Sequence, residues 1–262
     1  MTHTVSVTAV TDRRRRPASR LLELRAAGEL GLFLAATPLL HAAPRGPSRR
    51  VMVLPGFVVG DTSTAPLRML LGRLGHEPTG WRLGRNLGPT DEVIDGMVHR
   101  LREEADKAGA PIPLIGWSLG GIYARVLGQE NPDLVDQVIT LGSPFNIGVD
   151  ERTSVSGIWD SLGRHRQFVR DRASLDVDSI PMPSTSVYTR TDGIVAWQSC
   201  LQSESERSEN IEVYGSHCGL GVNVAVAYLI ADRLTRTDSN WSQFDPPTAL
   251  RPLFPQRRPV HG

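Results

Sequence analysis

Residues 114–121 read Leu-Ile-Gly-Trp-Ser-Leu-Gly-Gly and contain the spacing Gly-x-Ser-x-Gly. An apolar run at 113–115 leads into this stretch, and a helix-compatible run at 121–129 follows it. The pattern predicts a strand, a sharp turn that carries Ser118, and a helix. Glycine on either side lets the strand and the helix pack closely while the serine hydroxyl projects above the sheet. In this setting the spacing indicates a nucleophilic serine far more specifically than the motif does alone.

Length and composition indicate one sizeable soluble domain. The chain has 262 residues, of which 40% are hydrophobic and 22% are charged, and its formal net charge is +1. These values fit a globular protein and give no argument for a nucleic-acid partner, so we predict none. The arginine run at 13–16 has two interpretations, a solvated leader, which we favour, or an arm for nucleic acid or a membrane surface.

From Arg50 onward, short apolar runs alternate with helical patterns. This alternation predicts an α/β fold with a mostly parallel sheet of about six strands, flanked by crossover helices. The predicted strands are 51–54, 79–83, 113–116, 135–141, 185–189 and 211–214, and the predicted helices are 17–40, 65–74, 91–108, 120–129 and 220–234.

The chain divides into four predicted parts. Residues 1–16 form a leader that we expect to be disordered, and 17–49 form an N-terminal helix and a Pro/Gly linker. The α/β domain covers 50–240, and 241–262 form a Pro/Arg-rich tail that we expect to be unpacked. Within the domain, 146–182 have no clear strand and are predicted to form a short helical cap over the carboxyl ends of the strands.

The N-terminal segment has two interpretations. It does not resemble a secretory signal, and its apolar stretch at 26–40 is shorter than the roughly 20 residues that a membrane span needs. The simpler interpretation is a helix docked on the domain of a cytoplasmic protein. The alternative is a peripheral membrane contact through residues 20–40.

A nucleophilic serine needs a base within hydrogen-bond reach. We predict His217 as that base because it follows the last predicted strand in a short Gly-containing loop, where parallel sheets present catalytic groups. The alternative is an ordinary surface-loop histidine. The chain has seven histidines, and the other six lie in or near the predicted tails and the linker, in elements that precede the nucleophile strand, or in the predicted cap: His3, His41, His76, His99, His165 and His261.

The base in turn needs an orienting carboxylate. Asp192 fits because the strand at 185–189 leads into an Asp-Gly turn, although such an aspartate also forms turns for purely local reasons. The resulting chain order is serine, aspartate, histidine, which differs from the order in both major types of serine protease. The other carboxylates considered are Asp176, Asp178, Glu204 and Glu206.

Two backbone N–H groups are predicted to form an oxyanion hole. One belongs to Leu119, directly after the serine. The other belongs to Phe57, in the sequence Leu-Pro-Gly-Phe at 54–57 that follows the first strand of the domain. An ordinary Pro-Gly turn is the alternative for this second stretch.

These motifs together resemble the α/β-hydrolase family, and specifically its lipase and esterase branch, over roughly 51–234. The stretch 120–125 is similar to the nucleophile helix of bacterial triacylglycerol lipases and related acyltransferases. Trp117 and Pro55 stand where relatives commonly have histidine. No antiparallel hairpin precedes Val51, which predicts a trimmed sheet whose exposed flank the N-terminal helix covers.

The resemblance implies ester hydrolysis through an acyl-enzyme, in lipid metabolism, with no metal and no organic cofactor. Ser118 would attack the carbonyl carbon, His217 would move the proton, and Asp192 would orient the imidazole. The implied substrate is a small-molecule or lipid ester with an apolar acyl chain. The residues that could line its pocket are Trp117, Phe57, Val58, Ile147, Trp159 and Trp197.

Three further points stay open at this level. An acyltransferase that uses a lipid or alcohol acceptor, or a peptidase, could use the same three residues. A non-catalytic binding protein on the same scaffold is a further alternative, but the presence of all three predicted catalytic residues argues against it. Cys200 and Cys218 could form a disulfide or remain two reduced thiols.

Overall fold

Residues 22–146 and 180–255 are the part of the chain that the computed structural model describes. The predicted leader at 1–16 lies outside these residues. So do almost all of the predicted cap, with Trp159 among its residues, and the last seven residues of the tail.

The centre of the fold is a six-stranded sheet in the order β2-β1-β3-β4-β5-β6. Every pairing between its strands is parallel. The prediction of a mostly parallel sheet of about six strands is therefore confirmed. The strands are β1 (Arg50–Leu54), β2 (Glu77–Gly80), β3 (Ile112–Trp117), β4 (Val135–Leu141), β5 (Ser184–Tyr188) and β6 (Ser208–Glu212).

The two outer strands start and end earlier than the sequence predicted. Strand β2 ends at Gly80, not near Leu83, because the Asp61 carboxylate accepts the N–H groups of Trp81 and Arg82, each at 3.1 Å. Strand β6 was predicted at 211–214 and begins instead at Ser208.

The described residues form five α-helices, of which α3 has the bounds that were predicted for it. The side chain of Thr90 accepts the N–H of Val93 at 3.3 Å at the start of α3, and Gly109 in the left-handed region (φ 63°) ends the helix. The helices are α1 (Ala26–Leu40), α2 (Asp61–Arg73), α3 (Asp91–Ala108), α4 (Leu119–Glu130) and α5 (Val224–Leu234). A short 3₁₀ turn, Leu22–Arg25, precedes α1. Over the described residues, no helix has the length and apolar character that crossing a membrane requires.

Alternating side chains of β1 pack into two separate hydrophobic cores, one on each face of the sheet. Val51 and Val53 pack with residues of α2 and α5 on one face of the sheet. Met52 and Leu54 pack with residues of α3 and α4 on the other. Because all four are buried, β1 reads as a continuous apolar run, as expected for a parallel sheet covered on both faces.

Helix α1 forms an additional outer layer. Phe33 and Leu40 are buried against Leu70 and Leu74 near α2 and against alanines of α5. This cluster contains no strand residue. The expectation that the N-terminal helix covers the flank of the sheet is therefore wrong, since α1 packs on helices.

The part of the tail that the structure describes is packed, contrary to our expectation. Phe244 and Phe254 are buried in the α2/α5 core, with ring centroids 5.1 Å apart. Arg233 of α5 is fully buried and donates to the carbonyl of Ser242 at 2.7 Å. The prediction of an unpacked tail rested on the many prolines and arginines of this stretch and did not consider its two phenylalanines, which anchor it.

The same arginine explains the position of β6. Glu209 is fully buried, and its carboxylate accepts hydrogen bonds from Arg233 Nη1 at 2.9 Å and from Thr185 Oγ1 at 2.8 Å. Because the buried Glu209 has these partners, the polar residues at the start of β6 can belong to the strand, and a search for apolar runs does not find them.

Candidate active site

Ser118 lies on a strained turn between β3 and α4. Its φ of 54° and ψ of −120° are sparsely populated by residues other than glycine, and its N–H donates to the Leu141 carbonyl at 2.8 Å. A Cβ atom at Gly116 would overlap the backbone of 120–121, and one at Gly120 would overlap the carbonyl oxygen of Leu54. Both motif glycines are thus required by close backbone contact, as the sequence predicted.

The three predicted polar residues meet at the carboxyl edge of the sheet. His217 Nε2 lies 3.0 Å from Ser118 Oγ, and His217 Nδ1 lies 2.7 Å from Asp192 Oδ2. Asp192 follows β5, His217 follows β6, and both side chains are buried. With the Nδ1 proton donated to Asp192, Nε2 is left to accept the hydroxyl proton of Ser118.

Asp192 also organises its own turn. Its Oδ1 accepts the N–H groups of Ile194 and Val195 at 2.8 and 2.7 Å, which leaves Oδ2 for His217. The two interpretations of Asp192, a turn former and a partner of the histidine, therefore hold together. Among the other carboxylates considered, Glu204 accepts from the N–H of Asn210, and Asp176 and Asp178 lie outside the described residues.

The electrostatic surroundings make His217 a stronger base than usual. Burial disfavours the imidazolium and lowers its pKa, but the charge of Asp192, the hydrogen bond to it and the charge of Glu23 act the other way, so that the pKa of His217 is raised. An imidazolium that forms during proton transfer is stabilised by the same groups.

The loop after β1 passes directly against the serine. A Cβ atom at Gly56 would lie 3.4 Å from Ser118 Cβ. Within the described part of the chain, neither the N–H of Phe57 nor that of Leu119 donates a hydrogen bond. The described residues therefore leave both predicted oxyanion donors without an acceptor, and the oxyanion role of both stays a prediction.

Asn86 holds this loop, and the sequence did not single it out. Its side-chain amide donates to the Pro55 carbonyl at 2.9 Å, its N–H donates to the Val59 carbonyl at 2.8 Å, and its carbonyl accepts the N–H of Val58 at 2.7 Å. These bonds hold Val58 in the left-handed region (φ 58°), which a β-branched residue rarely adopts. Asn86 lies in a loop with no motif, so no local signal could have identified it.

Gly142, after β4, is a second residue that the sequence did not identify. It has a φ of 57°, and a Cβ atom there would lie 3.2 Å from His217 Nδ1 and 2.7 Å from Leu220 Cδ1. The absence of a side chain at this position leaves room for the imidazole between β4 and the turn at Leu220.

The predicted pocket residues have varied surroundings. Trp117 donates from Nε1 to the His217 carbonyl at 3.1 Å and packs against Gly221, so it supports the histidine loop. Trp197 stacks on Tyr188, with centroids 5.6 Å apart. Val58 is 44% exposed. Substrate contact by any of these residues, and by the undescribed Trp159, stays a prediction.

The two cysteines are both free, with Cys200 buried and Cys218 exposed. Although part of the Cys218 residue is exposed, partial burial of its thiol, together with nearby carboxylates that include Glu23, raises its pKa to about 12, and burial raises the pKa of Cys200 well above its usual value. Neither thiol is therefore ionised near neutral pH, and neither competes with Ser118 as a nucleophile.

Comparison with known proteins places this fold. No family model and no curated protein matches the sequence. Among solved structures, lipase B of Aspergillus fumigatus matches with a TM-score of 0.57 and 18% identity, over 76% of this chain and 57% of the fungal protein. The chain thus spans little more than half the length of that lipase.

Two further structures match over most of their length. A monoacylglycerol lipase of Paleococcus ferrophilus has a TM-score of 0.51 and 14% identity, over 74% of this chain and 95% of its own. An α/β superfamily hydrolase of Oenococcus oeni has a TM-score of 0.51 and 15% identity, over 72% and 92%. These likenesses confirm the predicted α/β-hydrolase fold.

The close contact at Gly120 gives a testable prediction. We expect Gly120→Ala to lower the free energy of unfolding by about 1–3 kcal/mol, because the new methyl group must displace the backbone of 54–55. Unfolding in urea, followed by circular dichroism, measures this change.

The matched control is Gly28→Ala in α1, where a Cβ atom has no neighbour within 4 Å. This variant should keep the wild-type stability or gain about 0.5–1 kcal/mol, since alanine favours a helix more than glycine does. Equal stability of the two variants would contradict the contact.

Proposed function

We propose that this chain, which has the α/β-hydrolase fold, is a serine hydrolase that cleaves carboxylic esters through an acyl-enzyme. The observation that carries this proposal is the continuous contact from Ser118 Oγ to His217 Nε2, at 3.0 Å, and from His217 Nδ1 to Asp192 Oδ2, at 2.7 Å. The strained turn that presents Ser118, and the serine, aspartate, histidine order along the chain, support it further.

The reaction proceeds in two halves. Ser118 Oγ attacks the ester carbonyl carbon while His217 Nε2 takes the hydroxyl proton, and the negative charge on the carbonyl oxygen accepts the N–H groups of Phe57 and Leu119. The tetrahedral intermediate then expels the alcohol, which receives the proton from His217. Water, deprotonated by His217, attacks the acyl-enzyme, and the acid leaves as Ser118 regains its proton.

The proposed substrate is a small-molecule or lipid ester with an apolar acyl chain. Several proteins that share the fold are lipases by name, including the monoacylglycerol lipase described above. The half-buried Phe57 and the exposed Val58 add apolar surface next to the serine. The alternative that the sequence left open, an acyltransferase with a lipid or alcohol acceptor, uses the same first half-reaction.

A panel of p-nitrophenyl esters with graded acyl chains tests the proposal. We expect the wild-type protein to release p-nitrophenol, and Ser118→Ala, which removes the nucleophile, to lower kcat by about 10⁴-fold or more while remaining folded. No turnover by the wild type, or retained turnover by Ser118→Ala, would contradict the proposal.

Product analysis in the same assay separates the two candidate activities. With a long-chain alcohol competing against water, free acid should dominate the products of a hydrolase. If the acyl group passed mainly to the alcohol, the acyltransferase alternative would replace the hydrolase.

The role of Asp192 gives a separate prediction. We expect Asp192→Asn to lower kcat by about 10⁴-fold near neutral pH, because an amide at this position stabilises the wrong tautomer of His217 and no imidazolium. Steady-state kinetics on the best ester of the panel measures this loss. Glu204→Gln and Asp178→Asn serve as controls, and a larger loss in either of them would reassign the acid.

We also propose that the N-terminal segment rests on a lipid surface, within residues 20–40. Several of its leucines are exposed although α1 is docked, including Leu32 at 62% and Leu39 at 79%. These two are seven residues apart and therefore share one face of the helix. An exposed apolar helix face of this kind supports contact with the interface at which a lipid ester would be found.

Vesicle flotation tests this contact. We expect Leu32→Glu combined with Leu39→Glu to reduce binding to phosphatidylcholine vesicles by about 10-fold or more. Each leucine that moves from water into the lipid surface contributes more than about 1 kcal/mol to the binding free energy. Met69→Glu, at a position of α2 that is 59% exposed, is the matched control and should float as the wild type does. Equal flotation of all three proteins would argue against the membrane contact.

A further inference from the structure

The N-terminal segment reaches into the candidate active site through Glu23. The Oε1 atom of Glu23 accepts the N–H of Gly193 at 2.9 Å and that of His217 at 3.2 Å, and Oε2 accepts the N–H of Cys218 at 2.8 Å. One carboxylate thus joins the loop that carries Asp192 to the loop that carries His217. Glu23 is 170 and 194 residues distant along the chain from its partners Gly193 and His217.

Two neighbours of Glu23 contact the same loops. Glu29 accepts the N–H of Ser216 at 2.9 Å with Oε1 and its hydroxyl at 2.8 Å with Oε2. Arg25 donates from Nη2 to the Gly215 carbonyl at 2.9 Å and to Thr191 Oγ1 at 3.2 Å. A side chain at position 219 would overlap the Glu29 carboxylate, so that glycine permits the close approach.

Docking of α1 does not by itself require these polar contacts. Phe33 and Leu40 already anchor the helix on α2 and α5 by apolar burial. The carboxylate of Glu23 instead accepts backbone N–H groups directly beside Asp192 and at His217 itself. Hydrogen bonds from N–H groups to a carboxylate are about twice as strong as neutral ones, so they constrain where the two loops lie.

We propose that Glu23 is a positioning residue, which holds the Asp192 and His217 loops at the separation at which the two side chains pair, with Arg25 and Glu29 supporting it. The inference rests on the proposed function, because Asp192 and His217 matter for turnover only if they act on Ser118. No other position in the described residues links the two loops to a third element through a carboxylate.

The charge of Glu23 has a second effect on His217. The charged groups around the His217 loop in the described residues are Asp192, Glu23, Arg25 and Glu29. Burial lowers the pKa of His217, whereas Asp192 and then Glu23 raise it. Since the base must be neutral, the reaction fails as pH falls through this raised pKa. Removing the charge of Glu23 lowers the pKa and moves the acid limb of activity to lower pH.

Kinetics of Glu23→Gln and Glu23→Ala test the proposal in the full-length protein. The glutamine keeps the shape and one acceptor but presents an N–H group to the N–H of Cys218, and the alanine removes every bond. We expect kcat to fall by about 10-fold in the first and about 10²-fold in the second, with KM within about twofold, because small misplacements of reacting groups carry losses of this size.

The pH profile distinguishes positioning from a merely structural role. In Glu23→Gln the acid limb of kcat/KM should move to lower pH, while Glu92→Gln, which removes an exposed carboxylate at the start of α3, should leave both the profile and kcat unchanged. A uniform loss of activity with an unmoved acid limb would overturn the proposal.

A readout without substrate separates this inference from the proposed function. NMR titration of His217 should give a lower pKa in Glu23→Gln than in the wild type, and the N–H groups of Gly193, His217 and Cys218 should exchange faster with solvent. If these changes occur in a protein that hydrolyses no ester, the positioning role stands and the proposed function fails. If ester turnover depends on Ser118 but neither NMR observable changes, the proposed function stands and the positioning role fails.

Discussion

The close approach of α4 to β3 is the constraint on which the site depends. A side chain at Gly116 would overlap the backbone of 120–121, so β3 and α4 can meet at this distance only through glycine. A side chain at Gly120 would overlap the backbone of 54–55, so α4 also needs glycine to pass the end of β1. The approach places Ser118 at φ 54° and ψ −120°, and the bond from its N–H to the Leu141 carbonyl holds it there. The strain is tolerated because a packed sheet and a buried helix over-determine the turn. The Leu119 N–H lies in the same turn, and the loop after β1 is drawn against the serine.

The parallel sheet brings the loops of Asp192 and His217 to the same edge as Ser118, but it does not fix the exact positions of these loops. Because β5 and β6 are neighbours, the loops that follow them emerge side by side, and Gly142 after β4 leaves space for the imidazole. Loops are otherwise irregular, and regular hydrogen bonding does not fix them. Here they are fixed by single polar side chains that bind backbone groups. Asn86 holds the loop after β1, Trp117 holds the carbonyl of His217, and Glu23 joins the Asp192 and His217 loops.

This division explains what the sequence could predict. Apolar periodicity located the six strands and α3, and the motifs that follow three of the strands predicted the order serine, aspartate, histidine, because each depends on local patterns and on a single rule for parallel sheets. The start of β6 was missed because Glu209 is buried against Arg233, a long-range pairing that gives a strand a polar sequence. The packing of the tail was missed because its many prolines indicated an unpacked segment, whereas the burial of two phenylalanines is enough to hold it on the domain. Asn86, Gly142 and Glu23 left no local signal at all, since each acts on groups that lie far away in the sequence: Asn86 and Glu23 bind backbone atoms, and Gly142 leaves space for the side chain of His217.

The position of Glu23 bears on two opposing demands on the pKa of His217. A buried histidine tends to lose its proton affinity, yet a general base must hold a proton long enough to return it to the leaving group. Asp192 supplies one compensating charge. Glu23 supplies another without contacting the imidazole, because three backbone N–H groups from the two loops hold its carboxylate near the ring. Glu23 lies in the 3₁₀ turn directly before α1, and α1 is docked through Phe33 and Leu40. Under this proposal, the apolar free energy that holds the N-terminal helix also maintains the geometry and the basicity of His217, so that the helix is part of the site.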